Sequence, residues 1–245
     1  MKLVKGLAAV ALMACATTAS AEFSGNVAVV SDYMWRGITQ TAGKPALQGG
    51  VDWAGDSGLY AGTWASNIDW GDCCNESVEV DLYAGFAGGE TISWDVGYNY
   101  YWFPSADDAG DFGEFYFALG FEDWVTAKAW YANDYADSDL EAWYFEANGG
   151  VPLPADFSIG WHAGWSDGQY WDGDEYFDWS LGVNYAWRNL EFGLAWVDGS
   201  DLDDLDDFCK GLDKDFYPEC KDKDVLSTDG RVVLSVATSF PWSKD

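Results

Sequence analysis

The chain of 245 residues carries 42 acidic residues against 12 Lys and Arg, for a formal net charge of −30. Such a surface repels a phosphate backbone, so nucleic acid is set aside as a partner. The 16 Trp, 14 Tyr and 14 Phe, beside a single His, need an apolar or interfacial home that a soluble enzyme does not offer at that density.

At the N-terminus Lys2 and Lys5 precede an apolar run from Gly6 to Ala14, and Ala19-Ser20-Ala21 follows as a small-residue cleavage pattern. Residues 1–21 therefore read as an export signal peptide that is removed. A lipoprotein signal ending at Cys15 competes, although Met13 is unusual in that position. No later stretch has the roughly 18 uninterrupted apolar residues of a spanning helix. Residues 22–245 are then one domain, either soluble or a barrel.

From Glu22 onward a period of two residues recurs and no helical period is sustained. In TISWDVGYNYYW at 91–102, Ile92, Trp94, Val96, Tyr98, Tyr100 and Trp102 share one face, while Ser93, Asp95, Gly97 and Asn99 share the other. The segment 177–187 repeats the pattern, with Phe177, Trp179, Leu181, Val183, Tyr185 and Trp187 opposite Asp178, Ser180, Gly182 and Asn184. In chain order the expected strands are 23–36, 46–54, 59–70, 78–87, 91–103, 114–122, 125–135, 140–149, 157–169, 176–187, 190–198 and 230–240. Their connections alternate between tight turns, such as Gly55 to Gly58 and the PLPAD turn at 152–156, and longer loops, such as 104–113 and 199–229.

Short turns at one end and long loops at the other mark an outer-membrane barrel. The expectation is an all-β, closed antiparallel transmembrane barrel of about 12 strands, with counts of 10 and 14 also open. The weak point is the pair at 125–135 and 140–149, where Trp130, Trp143 and Phe145 disagree with the assigned faces. Trp35, Trp53, Trp70, Trp102, Trp124 and Trp187 fall near strand ends and suit the two interfacial girdles. A sandwich core is the competing home for these rings. The last alternating strand, RVVLSVATSF, ends at Phe240, and PWSKD follows where such barrels usually stop on the aromatic residue.

The stretches SDYMWRGITQTAGKPALQGG at 31–50, LYAGTWASN at 59–67 and VEVDLYAGF at 78–86, together with the closing strand, resemble the TorF-like porin family of bacteria. The resemblance implies an outer-membrane barrel with porin activity. The cysteines and the acidic segment 201–224 depart from the plain pattern.

If the aromatic face of each strand meets lipid, the opposite face carries Asp32, Arg36, Asp52, Asp69, Glu79, Asp81, Asp95, Asn99, Glu114, Lys128, Asp178 and Arg231 into the lumen. Carboxylates dominate this pore-lining set, and a lumen of one sign concentrates counter-ions. The expected function is a bacterial outer-membrane channel for passive diffusion of small solutes through a narrow, cation-favouring passage. In a second version, Arg36, Lys128 and Arg231 pair with carboxylates and plug the lumen.

The expected partners are outer-membrane lipid and small solutes or cations. No cofactor, metal or catalytic residue is assigned. A homo-oligomer stays open, since no motif counts subunits.

His162 has Ser158 and Ser166 four positions away, about 13 Å along an extended strand and beyond direct proton transfer. It reads as an inward polar side chain without catalytic duty. Cys209 and Cys220 are the favoured disulfide, which leaves Cys73 beside Cys74. The run DLDDLDDF at 201–208 opens a solvated acidic segment extending to Asp224, and a closed-barrel scaffold or adhesin acting through 201–224 is the alternative function.

Overall fold

A computed structural model of the chain describes residues 22–71, 77–104, 110–122, 124–172, 174–200 and 225–242. The wall is built by β1 (Glu22–Val30), β4 (Ala46–Ala54), β5 (Leu59–Asn67), β6 (Val78–Gly89), β7 (Ile92–Trp102) and β8 (Phe112–Phe121). It continues through β9 (Val125–Ala132), β10 (Ala142–Pro152), β11 (Phe157–Asp167), β12 (Tyr176–Trp187), β13 (Leu190–Ser200) and β14 (Arg231–Phe240). Each strand pairs antiparallel with its neighbour, and β1 pairs with both β4 and β14, so the barrel closes at 12 strands. The middle of the three counts read from sequence is the one observed.

Alternation explains the wall. In β8, Phe112, Glu114, Tyr116, Ala118 and Gly120 are buried while Phe115, Phe117, Leu119 and Phe121 are exposed. In β12 the buried set is Tyr176, Asp178, Gly182 and Asn184, and the exposed set includes Leu181 at 53 % and Val183 at 44 %. Large apolar side chains on the outside of a closed wall need lipid around them, and polar ones inside need an aqueous or hydrogen-bonded interior. Trp102, Trp124 and Trp187 are exposed near strand ends, as expected of girdle residues.

Tight turns gather at the end where β1 begins and β14 finishes. At Gly58 φ is +89°, and an added Cβ would strike the carbonyl oxygen of Ala87, so this turn requires glycine. The opposite end carries the long connections, two of which hold short 3-10 helices, η1 (Tyr135–Asp137) and η2 (Gln169–Trp171).

Among the expected strands that stop early, two shape the interior. The strand expected over 23–36 ends at Val30, and the one over 59–70 ends at Asn67. Beyond Val30 the chain leaves the wall and forms a small hairpin, β2 (Met34–Trp35) with β3 (Ile38–Thr39). Trp35 and Trp70 are therefore not girdle residues. Trp35 stacks on Tyr135 at 6.4 Å, and Trp70 packs on Phe103 at 5.0 Å while its indole N–H donates to Gln40 at 3.0 Å.

At the weak point noted in the sequence, Trp143 and Phe145 face outward and Trp130 faces inward. Trp130 can be inside because its N–H donates to Glu146 Oε1 at 2.7 Å, satisfying the one polar atom of the ring. The expected signal at 1–21, the four cysteines at 73, 74, 209 and 220, and the acidic segment 201–224 lie outside the described residues.

Candidate functional site

The interior is organised by the hairpin between β1 and β4. Its base is tied by Asp32, whose Oδ1 accepts from Thr39 Oγ1 at 2.6 Å and Thr41 Oγ1 at 2.9 Å, while Oδ2 accepts from Arg231 Nη1 at 2.8 Å. Tyr33 N–H donates to Thr41 Oγ1 at 3.0 Å, and Tyr33 O–H donates to Glu79 Oε1 at 3.2 Å. The tip is Arg36 and Gly37, with φ of 50° and 76°, the left-handed pair that a two-residue hairpin turn needs.

Trp35 stands edge-on to Tyr101 on β7 at 5.6 Å. Arg36 forms a bidentate pair with Glu114 on β8, at 3.0 and 2.6 Å, and its guanidinium lies 4.2 Å from the ring centroid of Tyr144 on β10. On the other side Gly37 abuts β12 and β13, since a Cβ there would come within 2.7 Å of Asp178 Cβ and 3.2 Å of Gly199 Cα. The hairpin thus spans the lumen from the β7–β10 wall to the β12–β13 wall.

Around the hairpin, polar contacts link the inner faces of the wall strands. Tyr83 on β6 donates to Asp52 on β4, and Tyr60 on β5 donates to Asp95 on β7 at 2.6 Å and also meets the Tyr116 hydroxyl on β8. Lys128 on β9 lies 3.6 Å from the Tyr116 ring and 3.7 Å from the Trp130 ring. Asn148 donates to Glu146 at 2.7 Å on β10. His162 on β11 sets Nδ1 2.7 Å from Asn148 Oδ1 and Nε2 2.7 Å from Asp178 Oδ1 on β12, which also accepts from Tyr144.

The remaining wall differs. Ser24, Asn26 and Ala28 on β1, Ala195 on β13, and Ser235 and Ala237 on β14 are small inward positions, and all but Ser235 are partly accessible. Bulk is concentrated on one side of the lumen, and the other side, Glu191 on β13 apart, is lined mainly by short side chains.

The residues expected to line a pore fall into three groups. Asp52, Glu79, Asn99, Glu114, Lys128 and Asp178 are buried on the inner wall, and Asp81 and Asp95 are part-buried there, with Asn99 donating to Asp81 at 3.3 Å. Asp32 and Arg36 are inside because the hairpin carries them, not because a strand does, while Arg231 opens β14 and pairs with Asp32. Asp69 lies past the end of β5 and pairs with Lys44 at 2.5 Å, a mouth position rather than a wall position. The Lys44 hydrogen bond is the main cause holding that carboxyl below its usual pKa, helped by the Gly71 N–H.

Tyr60, Tyr83, Tyr116, Trp130, Tyr144 and Glu146 belong to the same interior and were not expected there. Their signal was a place on the polar face of an alternating strand. An aromatic ring in that register invites the opposite assignment. Of the three cations in the plugged version, Arg36 and Arg231 do pair with carboxylates, whereas Lys128 has no ion pair among the described residues.

A closed 12-stranded antiparallel barrel with an apolar outside and an acidic interior is the architecture of a porin-like membrane barrel. The family described as "Bacterial protein of unknown function (Gcw_chp)" matches residues 14–217, and the chain belongs to that family. No curated protein matches the sequence.

Among solved structures, the KdgM porin is similar with a TM-score of 0.52 at 11% identity, covering 89% of this chain and 99% of that one. The KdgM porin in complex with disordered oligogalacturonate gives 0.52 at 9%, covering 90% and 99%. The NanC porin gives 0.52 at 9%, covering 89% and 99%. At these identities the likeness is one of fold.

Proposed function

We propose that the protein is an outer-membrane channel for passive diffusion of small solutes, with a narrow acid-lined lumen that favours cations. The observation that carries this reading is the excess of carboxylates on the inner face of a closed barrel whose outer face is apolar. Asp52, Asp81, Asp95 and Glu146 have no salt bridge to Lys or Arg among the described residues, and low-dielectric walls strengthen their pull on cations. The short side chains of β1, β13 and β14 supply the wall along which a solute passes. The hairpin sets the narrowest level.

The resemblance of 31–50, 59–67 and 78–86 to TorF-like porins supports the same reading. An acidic polymer such as the oligogalacturonate of the KdgM complex would meet repulsion here, so the solute is neutral or cationic. The hairpin across the lumen also favours a second reading, a closed-barrel surface scaffold acting through 201–224. Planar-bilayer recording of the refolded mature chain under a salt gradient decides between them. Discrete cation-preferring steps support the channel, and silence from a verified folded barrel supports the scaffold.

A further inference from the structure

The inward cations are compensated unequally. Arg36 faces Glu114 at 2.6 Å, Arg231 faces Asp32 at 2.8 Å, and His162 faces Asp178 at 2.7 Å. Lys128 is buried on the inner face of β9, and no described residue accepts a hydrogen bond from it or forms a salt bridge with it. Its ammonium is held instead between two aromatic faces, 3.6 Å from the Tyr116 centroid and 3.7 Å from the Trp130 centroid.

Both walls of this cage are themselves fixed. The Tyr116 hydroxyl meets Tyr60, and the Trp130 indole N–H donates to Glu146 at 2.7 Å. A ring quadrupole attracts a cation without neutralising it, so the cage itself does not cancel the charge of the ammonium. The register places this charge in a row around the barrel. Asp95 faces Ala118, Ala118 faces Lys128, and Lys128 faces Glu146. Ala118 has no side chain long enough to screen Lys128 from Asp95.

We propose that Lys128 is the specificity-determining residue of the passage: a caged, unpaired ammonium that limits how strongly the acid-lined lumen prefers cations. The proposal rests on the channel reading above. A fixed charge at the level of the opposing carboxylates lowers the local negative potential, and in a narrow pore that potential sets which ion enters.

The test is the reversal potential of the refolded mature chain in planar bilayers under a potassium chloride gradient, for the wild type, Lys128→Met and Lys128→Arg. Folding is checked by heat-modifiable migration, and Lys128→Gln supplies the readout where the Met variant does not fold. Lys128→Met is expected to raise the cation-to-anion permeability ratio at least about threefold, with Lys128→Arg keeping the wild-type value. An unchanged reversal potential in conducting Lys128→Met and Lys128→Gln channels overturns the proposal and leaves the channel reading intact. An equal shift in Lys128→Arg also overturns it, since packing rather than charge would then be responsible. Silence from every folded variant, wild type included, overturns the channel reading itself and this proposal with it.

Discussion

Arg36 and Glu114, 78 positions apart in the chain, are joined across the lumen by two parallel hydrogen bonds, Nη1 to Oε1 at 3.0 Å and Nη2 to Oε2 at 2.6 Å. The side chains are 5% and 1% exposed, so neither charge has water to fall back on. The Tyr101 hydroxyl adds a third donor to Glu114 at 2.8 Å.

Removing one partner of such a pair leaves a buried charge uncompensated, at a cost of about 3–5 kcal/mol. Arg36→Met is therefore expected to lower the unfolding free energy in detergent by that amount and to free the hairpin tip from the β8 wall. Single-channel conductance should rise in the same variant. A destabilised variant with unchanged conductance would show that the hairpin is not the narrowest level.

Charge reversal at Asp81 and Asp95 is expected to move the reversal potential under a salt gradient toward anions. Both residues belong to the inner face, Asp95 accepting from Tyr60 at 2.6 Å and Asp81 from Asn99 at 3.3 Å. Two Lys substitutions there replace acidic groups by cations, a large change in the fixed charge that a narrow lumen presents. Selectivity left untouched would mean that ions do not pass this face.

His162 is predicted to be structural. Both ring nitrogens face acceptor atoms at 2.7 Å, Asn148 on one side and Asp178 on the other, and Asp178 is 1% exposed. His162→Leu strips Asp178 of that contact and leaves Tyr144 as its hydrogen-bond donor, so stability should fall by about 2–4 kcal/mol. Thermal unfolding followed by heat-modifiable migration measures this. A midpoint equal to wild type would show that the network is not holding β10, β11 and β12 together.

The wall was legible in sequence because its signal is local. Segments 91–102 and 177–187 each declare a lipid face and a lumen face within a dozen residues, and β7 and β12 follow them closely. The hairpin was not legible, because residues 31–36 continue the same alternation while the chain has already left the wall. What turns it inward is Asp32 meeting Thr39, Thr41 and Arg231, three partners that no local period announces.

The inner aromatic residues failed for a related reason. Period two assigns residues to faces without saying which face is wet, and Tyr60, Tyr83, Tyr116 and Tyr144 supply hydroxyls that make the inner face a good home for a ring. Asp69 was misplaced because β5 ends two residues before it, and its carboxylate meets Lys44 and the Gly71 N–H instead of facing the wall interior.

The seam between β1 and β14 sets the order in which this barrel assembles. Every other wall ladder joins strands close along the chain, β1 and β4 with only the inner hairpin between them, whereas the seam brings Val30 to Ser235 and Gly25 to Phe240, and the Leu234 N–H reaches Ser31 Oγ across 203 positions. Its loop-closure entropy makes it the last ladder to zip. Until it does, two edges carry unpaired N–H and C=O groups that hydrocarbon cannot solvate. Entry into the bilayer and closure of the ring must therefore proceed together.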